Sequence, residues 1–178
     1  MLGYSVYGHD NDTYFFRERN DVKRCPACGH LLDKWKERLG NASLSKKSLE
    51  VSYSYDGVLV VNERFMDVVH KEGLAGLSFI PINDGFFHIR PKEEVKFDAE
   101  KRKTRFINQC PMCGNFESIV GSSPVLLVAN AIPENGFVRT DIEFGSLDEK
   151  HPLVLCGLHA GHVLKANKFA GLVMNAIA

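Results

Sequence analysis

Two five-residue segments carry the most definite chemistry in this 178-residue chain. Cys25-Pro26-Ala27-Cys28-Gly29 and Cys110-Pro111-Met112-Cys113-Gly114 are one pattern with a single substitution. Two thiolates at this spacing grip one ion, and two such knuckles supply the four ligands of a closed tetrahedral zinc site. Proline after the first cysteine pre-sets φ for the turn. Glycine after the second lets the backbone curl so that its N–H groups can donate to sulfur. The expected ligands are therefore Cys25, Cys28, Cys110 and Cys113 around a structural Zn2+, with no open position for a substrate. A redox pair would sit at the strand-to-helix junction of a thioredoxin-like unit, and neither knuckle does. Disulfides are the remaining alternative. An odd count of five cysteines suits a reducing compartment better.

Cys156-Gly157-Leu158-His159-Ala160-Gly161-His162 offers three more ligand types at a helical spacing that lets them converge only loosely. An internal repeat gives a simpler reading. Residues 57–82 align without a gap on residues 152–177. Val58-Leu59-Val60-Val61 matches Leu153-Val154-Leu155-Cys156 as a β-rich apolar run. Phe65, Val68 and Val69 match Ala160, Val163 and Leu164 at the spacing of one helix face. Ala75-Gly76-Leu77 matches Ala170-Gly171-Leu172 at the helix end. Each unit is expected to run strand, helix, strand, with Asn62 as an N-cap in the first. The alignment puts Cys156 opposite buried Val61, and His159 and His162 opposite polar Arg64 and Asp67. Cys156 is thus expected in the core and the two histidines on the polar helix face.

Most other signals are β. Short strands are expected at Tyr4–Tyr7, Thr13–Arg17, Val51–Tyr55, Phe86–Arg90 and Phe137–Phe144, with turns at Asp56-Gly57 and Asn83-Asp84-Gly85. Lys92–Arg105 reads as a charged edge hairpin, and Pro124–Ala131 as a buried strand or short apolar segment. The fold class expected is α+β, a mixed or antiparallel sheet with two duplicated strand–helix–strand units and a zinc-ribbon-like pair of knuckles. No linker composition appears, so one zinc-bound domain spanning 1–178 is expected, with pseudo-repeats at about 1–91 and 92–178.

Lys and Arg number 22, as do Asp and Glu, so nothing in the overall charge demands a polyanion. The start of the chain lacks a basic and apolar leader, and its longest apolar stretch is about half of a roughly 20-residue membrane span. A cytoplasmic protein without membrane contact is expected. There is no P-loop, G-x-S-x-G, H-E-x-x-H or G-x-G-x-x-G motif. Carboxylate pairs such as Glu93-Glu94 and Asp148-Glu149 read as surface charge. His30 beside the first knuckle reads as a turn residue or an orienting neighbour, and Trp35 as an apolar cover for the metal site.

The paired knuckles are followed by further landmarks in a consistent order. These are Gly73-Leu74-Ala75-Gly76-Leu77 at a helix end, Asn115-Phe116 after the second knuckle, and the closing unit from Pro152 to Ile177. Together they resemble the double-CXXCG-motif family of bacterial polymorphic-toxin immunity proteins. The chain departs from that pattern at Gly157-Leu158-His159, where a polar cap and charged helix start are usual. The resemblance implies a non-enzymatic immunity or antidote protein that binds a cognate toxin. Two other classes compete. A zinc-ribbon nucleic-acid binder would use Lys23, Arg24, Lys34, Lys36 and Arg38, although Asp21, Asp33 and Glu37 are interleaved. An enzyme would use Cys156 and His159 and would need a cleft and a low thiol pKa there. If zinc is structural, chelation is expected to unfold the chain.

Overall fold

The computed structural model of the protein describes residues 1–39, 43–129 and 132–178. The architecture is mostly sheet with a few helices, an α+β arrangement. Strand β1 (Gly3–Asp10) comes first, then β2 (Val51–Tyr53), β3 (Leu59–Asn62), helix α1 (Glu63–Lys71), β4 (Leu77–Pro81) and β5 (Phe86–Pro91). A short β6 (Glu94–Val95) and one-turn α2 (Ala99–Arg102) lead to the hairpin of β7 (Arg105–Gln109) and β8 (Phe116–Val120). The chain closes with β9 (Phe137–Ser146), β10 (His151–Cys156), α3 (Leu158–Asn167) and β11 (Leu172–Ile177). The main sheet path is β4-β5-β3-β2-β1-β10-β9-β8-β7, with β11 on β1 and β6 on β9. Among the described residues only the β1–β2 and β6–β9 strand pairs are parallel, so the sheet is mixed.

The apolar runs at 58–61 and 153–156 become central strands buried on both faces, as strands without alternation should be. Leu59 and Val61 point to the cluster that includes helix residues Phe65, Val69, Ala160 and Leu164. Val58 and Val60 point the other way, onto Phe15, Phe16 and Leu31. In β10, Val154 and Cys156 share the helix-side cluster while Leu153 and Leu155 face Phe97, Val138 and Phe144. The helices bury the residues that their spacing predicts. Asn62 caps α1, its side-chain oxygen accepting from the Phe65 N–H at 3.1 Å.

Residues 57–82 and 152–177 both run strand–helix–strand, and their surroundings correspond in register. Val51 lies opposite Val61 in β2–β3, as Phe137 lies opposite Cys156 in β9–β10. Leu77 pairs with Pro91 as Leu172 pairs with Gly8, so β5 and β1 play the same part, each between the two strands of its unit. The strand that completes the second unit therefore comes from the start of the chain. Each unit gives the other the same contact: the Phe137 N–H donates to the Ala75 carbonyl at 3.0 Å, and the Val51 N–H to the Ala170 carbonyl at 3.1 Å. Gly76 and Gly171 follow those carbonyls with φ of 91° and 85°. A Cβ on either would strike the carbonyl oxygen of Phe137 or Val51.

Three sequence expectations are corrected. Thr13–Arg17 is not a strand, because the N–H groups of Phe15 and Phe16 donate to the buried Asp56 carboxylate at 2.6 and 2.8 Å instead of to a ladder. Lys92–Arg105 is not a hairpin. Its Asp98 accepts from the Lys101 N–H and caps α2, while β6 joins β9 in parallel. In Pro124–Ala131, the described part is irregular apart from a bridge between Leu127 and Phe97, and Asn130 and Ala131 lie outside the described residues.

Candidate metal centre

The two knuckles fold alike because their sequences impose the same turn. The Cys25 N–H donates to the His30 carbonyl and the Gly29 N–H to the Cys25 carbonyl, both at 2.8 Å. In the second knuckle Cys110 donates to Asn115 at 2.8 Å and Gly114 to Cys110 at 2.9 Å. Gly29 and Gly114 sit at φ of 72° and 74°, in the left-handed region that glycine enters without strain. The N–H groups of Ala27 and Cys28 point to the Cys25 sulfur, and those of Met112 and Cys113 to the Cys110 sulfur.

Tertiary contacts bring these turns together. The second knuckle closes the β7–β8 hairpin, and β8 pairs with β9 through Ser118 and Ser146. Immediately after β9, Asp148 holds the first knuckle: Arg24 bonds its carboxylate at 2.7 Å and the Leu31 N–H donates to it at 3.3 Å. Lys34, buried, donates to the carbonyls of Asp148 at 2.7 Å and Lys150 at 2.9 Å. Lys150 in turn donates to the Phe116 carbonyl beside the second knuckle. Asp148 is a residue whose role sequence reasoning missed, since its partners lie more than a hundred positions away.

The result is a four-sulfur cluster. Sγ of Cys25 lies 3.9 Å from that of Cys110, and Sγ of Cys28 lies 3.7 Å from that of Cys113. All four lie within 4.8 Å of one another. A tetrahedron with zinc–sulfur bonds of about 2.3 Å has edges of about 3.8 Å, whereas a disulfide needs about 2.05 Å. All five cysteines are free thiols. The donor set and spacing fit a metal of zinc type, and the knuckle cysteines are brought together as the sequence predicted. Cys25 and Cys110 are buried, Cys113 is half-buried and Cys28 is exposed, so the centre lies at the surface.

The electrostatics fit a cation. Backbone N–H donors lower the Cys25 thiol and bring Cys110 down to about 6, favouring thiolates. The His30 N–H also favours the Cys28 thiolate, yet crowding into the sulfur cluster pushes this thiol up to about 12. Four sulfurs this close resist full ionisation without a positive charge between them. A divalent metal removes the conflict.

The other sequence candidates do not converge. Cys156 is fully buried and its thiol is pushed up to about 12 by burial, while His159 and His162 are exposed on α3. Among the described residues the four knuckle cysteines are the only group of three or more metal-ligating side chains close enough to hold an ion. Trp35 does not cover the metal site. It stacks on His88 with centroids 5.7 Å apart, and its indole N–H donates to Glu143. Of the basic residues near the first knuckle, Arg24 and Lys34 are engaged internally and Lys36 pairs with Asp33 at 3.4 Å.

Fold and site define a mixed-sheet α+β protein with four cysteines arranged to hold a metal ion. No protein-family model, no curated protein and no solved structure matches the chain. Among the described residues no helix is long and apolar enough to cross a membrane.

Proposed function

We propose that this protein is a non-enzymatic zinc protein whose four-thiolate site is structural, and that it acts by binding another protein. In this reading it is a cytoplasmic immunity or antidote protein that neutralises a cognate bacterial toxin. The convergence of Cys25, Cys28, Cys110 and Cys113 into one cluster carries the zinc reading. Four thiolates fill the coordination sphere of zinc and leave it no substrate position, so the metal would join two segments 85 residues apart. The toxin reading is supported by the motif resemblance. We also read residues 57–82 and 152–177 as a duplication within one domain, which the matching strand registers support. The nucleic-acid alternative is weakened because Arg24 and Lys34 already serve internal contacts.

Co-purification of the zinc-loaded chain with the product of a neighbouring toxin gene tests the partner. A complex stable at micromolar concentration is expected. Its absence, with zinc bound and the fold intact, would reject that pairing without touching the metal assignment.

A further inference from the structure

Apart from two-residue β6, three strands have a single neighbour among the described residues: β4 beside β5, β7 beside β8, and β11 beside β1. An antiparallel edge strand points the N–H and C=O of every second residue outward. Which residues those are is fixed by the bonds at the strand ends. In β11 the Gly171 carbonyl accepts from the His9 N–H at 2.9 Å, so the bonds to β1 fall on Gly171, Val173 and Asn175. The N–H and C=O of Met174 and Ala176 therefore point away from β1, as does the Leu172 carbonyl. None of these groups has a hydrogen-bond partner among the described residues.

The other two edges are closed by their sequences. In β4 the Ile82 N–H donates to the Phe86 carbonyl at 2.9 Å, which leaves Leu77, Phe79 and Pro81 facing outward. Proline has no N–H to offer a further strand, and this blunts the edge. The gapless match of residues 57–82 with 152–177 sets Pro81 opposite Ala176, so the second unit lacks that device. In β7, Arg105 places a charge on the edge and Asn108, with φ of 51°, breaks its extended path. Leu172-Val173-Met174-Asn175-Ala176-Ile177 contains no charge, no proline and no positive φ. Such a segment on an open edge is a template for another strand.

The strand that fits it is its own copy. Antiparallel pairing with Met174 opposite the partner's Met174 sets Leu172 opposite the partner's Ala176, and Ala176 opposite the partner's Leu172. Outward groups then meet outward groups along the whole edge. A long side chain lies opposite a short one at each end, and no like charges are brought together. The same arrangement at β4 would set Pro81 against Leu77 and lose a donor on each side. Pairing one edge with itself closes at two copies, whereas β11 against β4 would run on from copy to copy. The face with Val173, Asn175 and Ile177 borders a groove of about 600 Å3 shared with Val125 and Leu126, so the added strand's side chains there meet open space.

We propose that two copies of this chain associate through antiparallel β11–β11 pairing, which continues the sheet across a two-fold axis centred on Met174. A strand pair buries less than the roughly 1,200 Å2 of a standard interface, so the dimer forms and dissociates over about the micromolar range. It is independent of the metal centre and of any toxin.

Sedimentation velocity on reduced, zinc-loaded protein from about 5 to about 500 µM tests this, with amide exchange read residue by residue by NMR. The mass should rise reversibly from one chain to two. Exchange at Met174 and Ala176 should slow as it does, while Val173 and Asn175 are protected throughout. Ala176→Pro copies Pro81, removes one bond on each side of the axis, and should weaken the dimer about tenfold or more. Ala176→Ser keeps the N–H and should dimerise as the unaltered chain does. Should Ala176→Pro fold poorly, amide exchange in the unaltered protein decides. A single-chain mass at every concentration, growth past two chains, association that leaves Met174 and Ala176 exchange unchanged, or undiminished association of folded Ala176→Pro would overturn the proposal.

Discussion

Strands β3 and β10 are buried along almost their whole length, whereas no residue of β7 or β8 is fully buried. The two regions hold their shape by different means. The central strands sit between apolar clusters on both faces, and none of those clusters includes a knuckle cysteine. Among the described residues the β7–β8 hairpin has one strand partner, β9, through a short register at Ser118 and Ile119. A two-stranded hairpin with little burial is marginal in water. Under the structural-zinc proposal, its order at the knuckle end comes from the ion together with the Arg24–Asp148 and Lys150–Phe116 ties. This narrows the expectation that chelation unfolds the chain. Metal removal should loosen the knuckles and leave the sheet standing.

The comparison is broken most strongly by attacking the sheet where the two units exchange contacts. Gly171→Ala places a side chain at a left-handed φ and against the Val51 carbonyl, and should cost about 2–4 kcal/mol. Chemical denaturation should show this loss, with zinc content unchanged. Gly76→Ala should behave alike if the two units are equivalent. A much smaller cost at one glycine would show that the matching registers do not carry matching strain.

Acid gives a smaller effect that separates the regions. His88 and His151 are held neutral in the folded protein with values near 4, below the ordinary 6.5 of the unfolded chain. The unfolded state therefore binds protons first, and their contribution to stability, complete above about 6.5, declines as pH falls towards 4. Melting temperature should fall across this window in zinc-loaded and metal-free protein alike. If only the zinc-loaded form shows the decline, ligand protonation and not the histidines is responsible.

How much was legible in the sequence follows the same division. The knuckles were, because a five-residue pattern with proline and glycine in fixed places dictates its own turn. The buried helix faces of α1 and α3 were, because apolar spacing records them directly. The insertion of β1 between β10 and β11 was not, since antiparallel partners 170 positions away leave no local mark. Trp35 was read as a cover for the nearest cysteines. Its actual partners, His88 and Glu143, come from β5 and β9. The charged stretch at 92–105 misled because alternating Val95 and Phe97 resemble an edge strand, while the Asp98 cap starting α2 overrides that pattern. Asp148 looked like surface charge and is the post on which the first knuckle is fixed.

Hydrogen exchange, followed peptide by peptide on reduced protein with zinc bound and after chelation, tests the division between metal-held knuckles and self-supporting sheet most directly. The account predicts that chelation speeds exchange across residues 23–36 and 105–120 and leaves β1, β3 and β10 protected. Unchanged exchange in the knuckles, or equal loss of protection throughout the sheet, would contradict it.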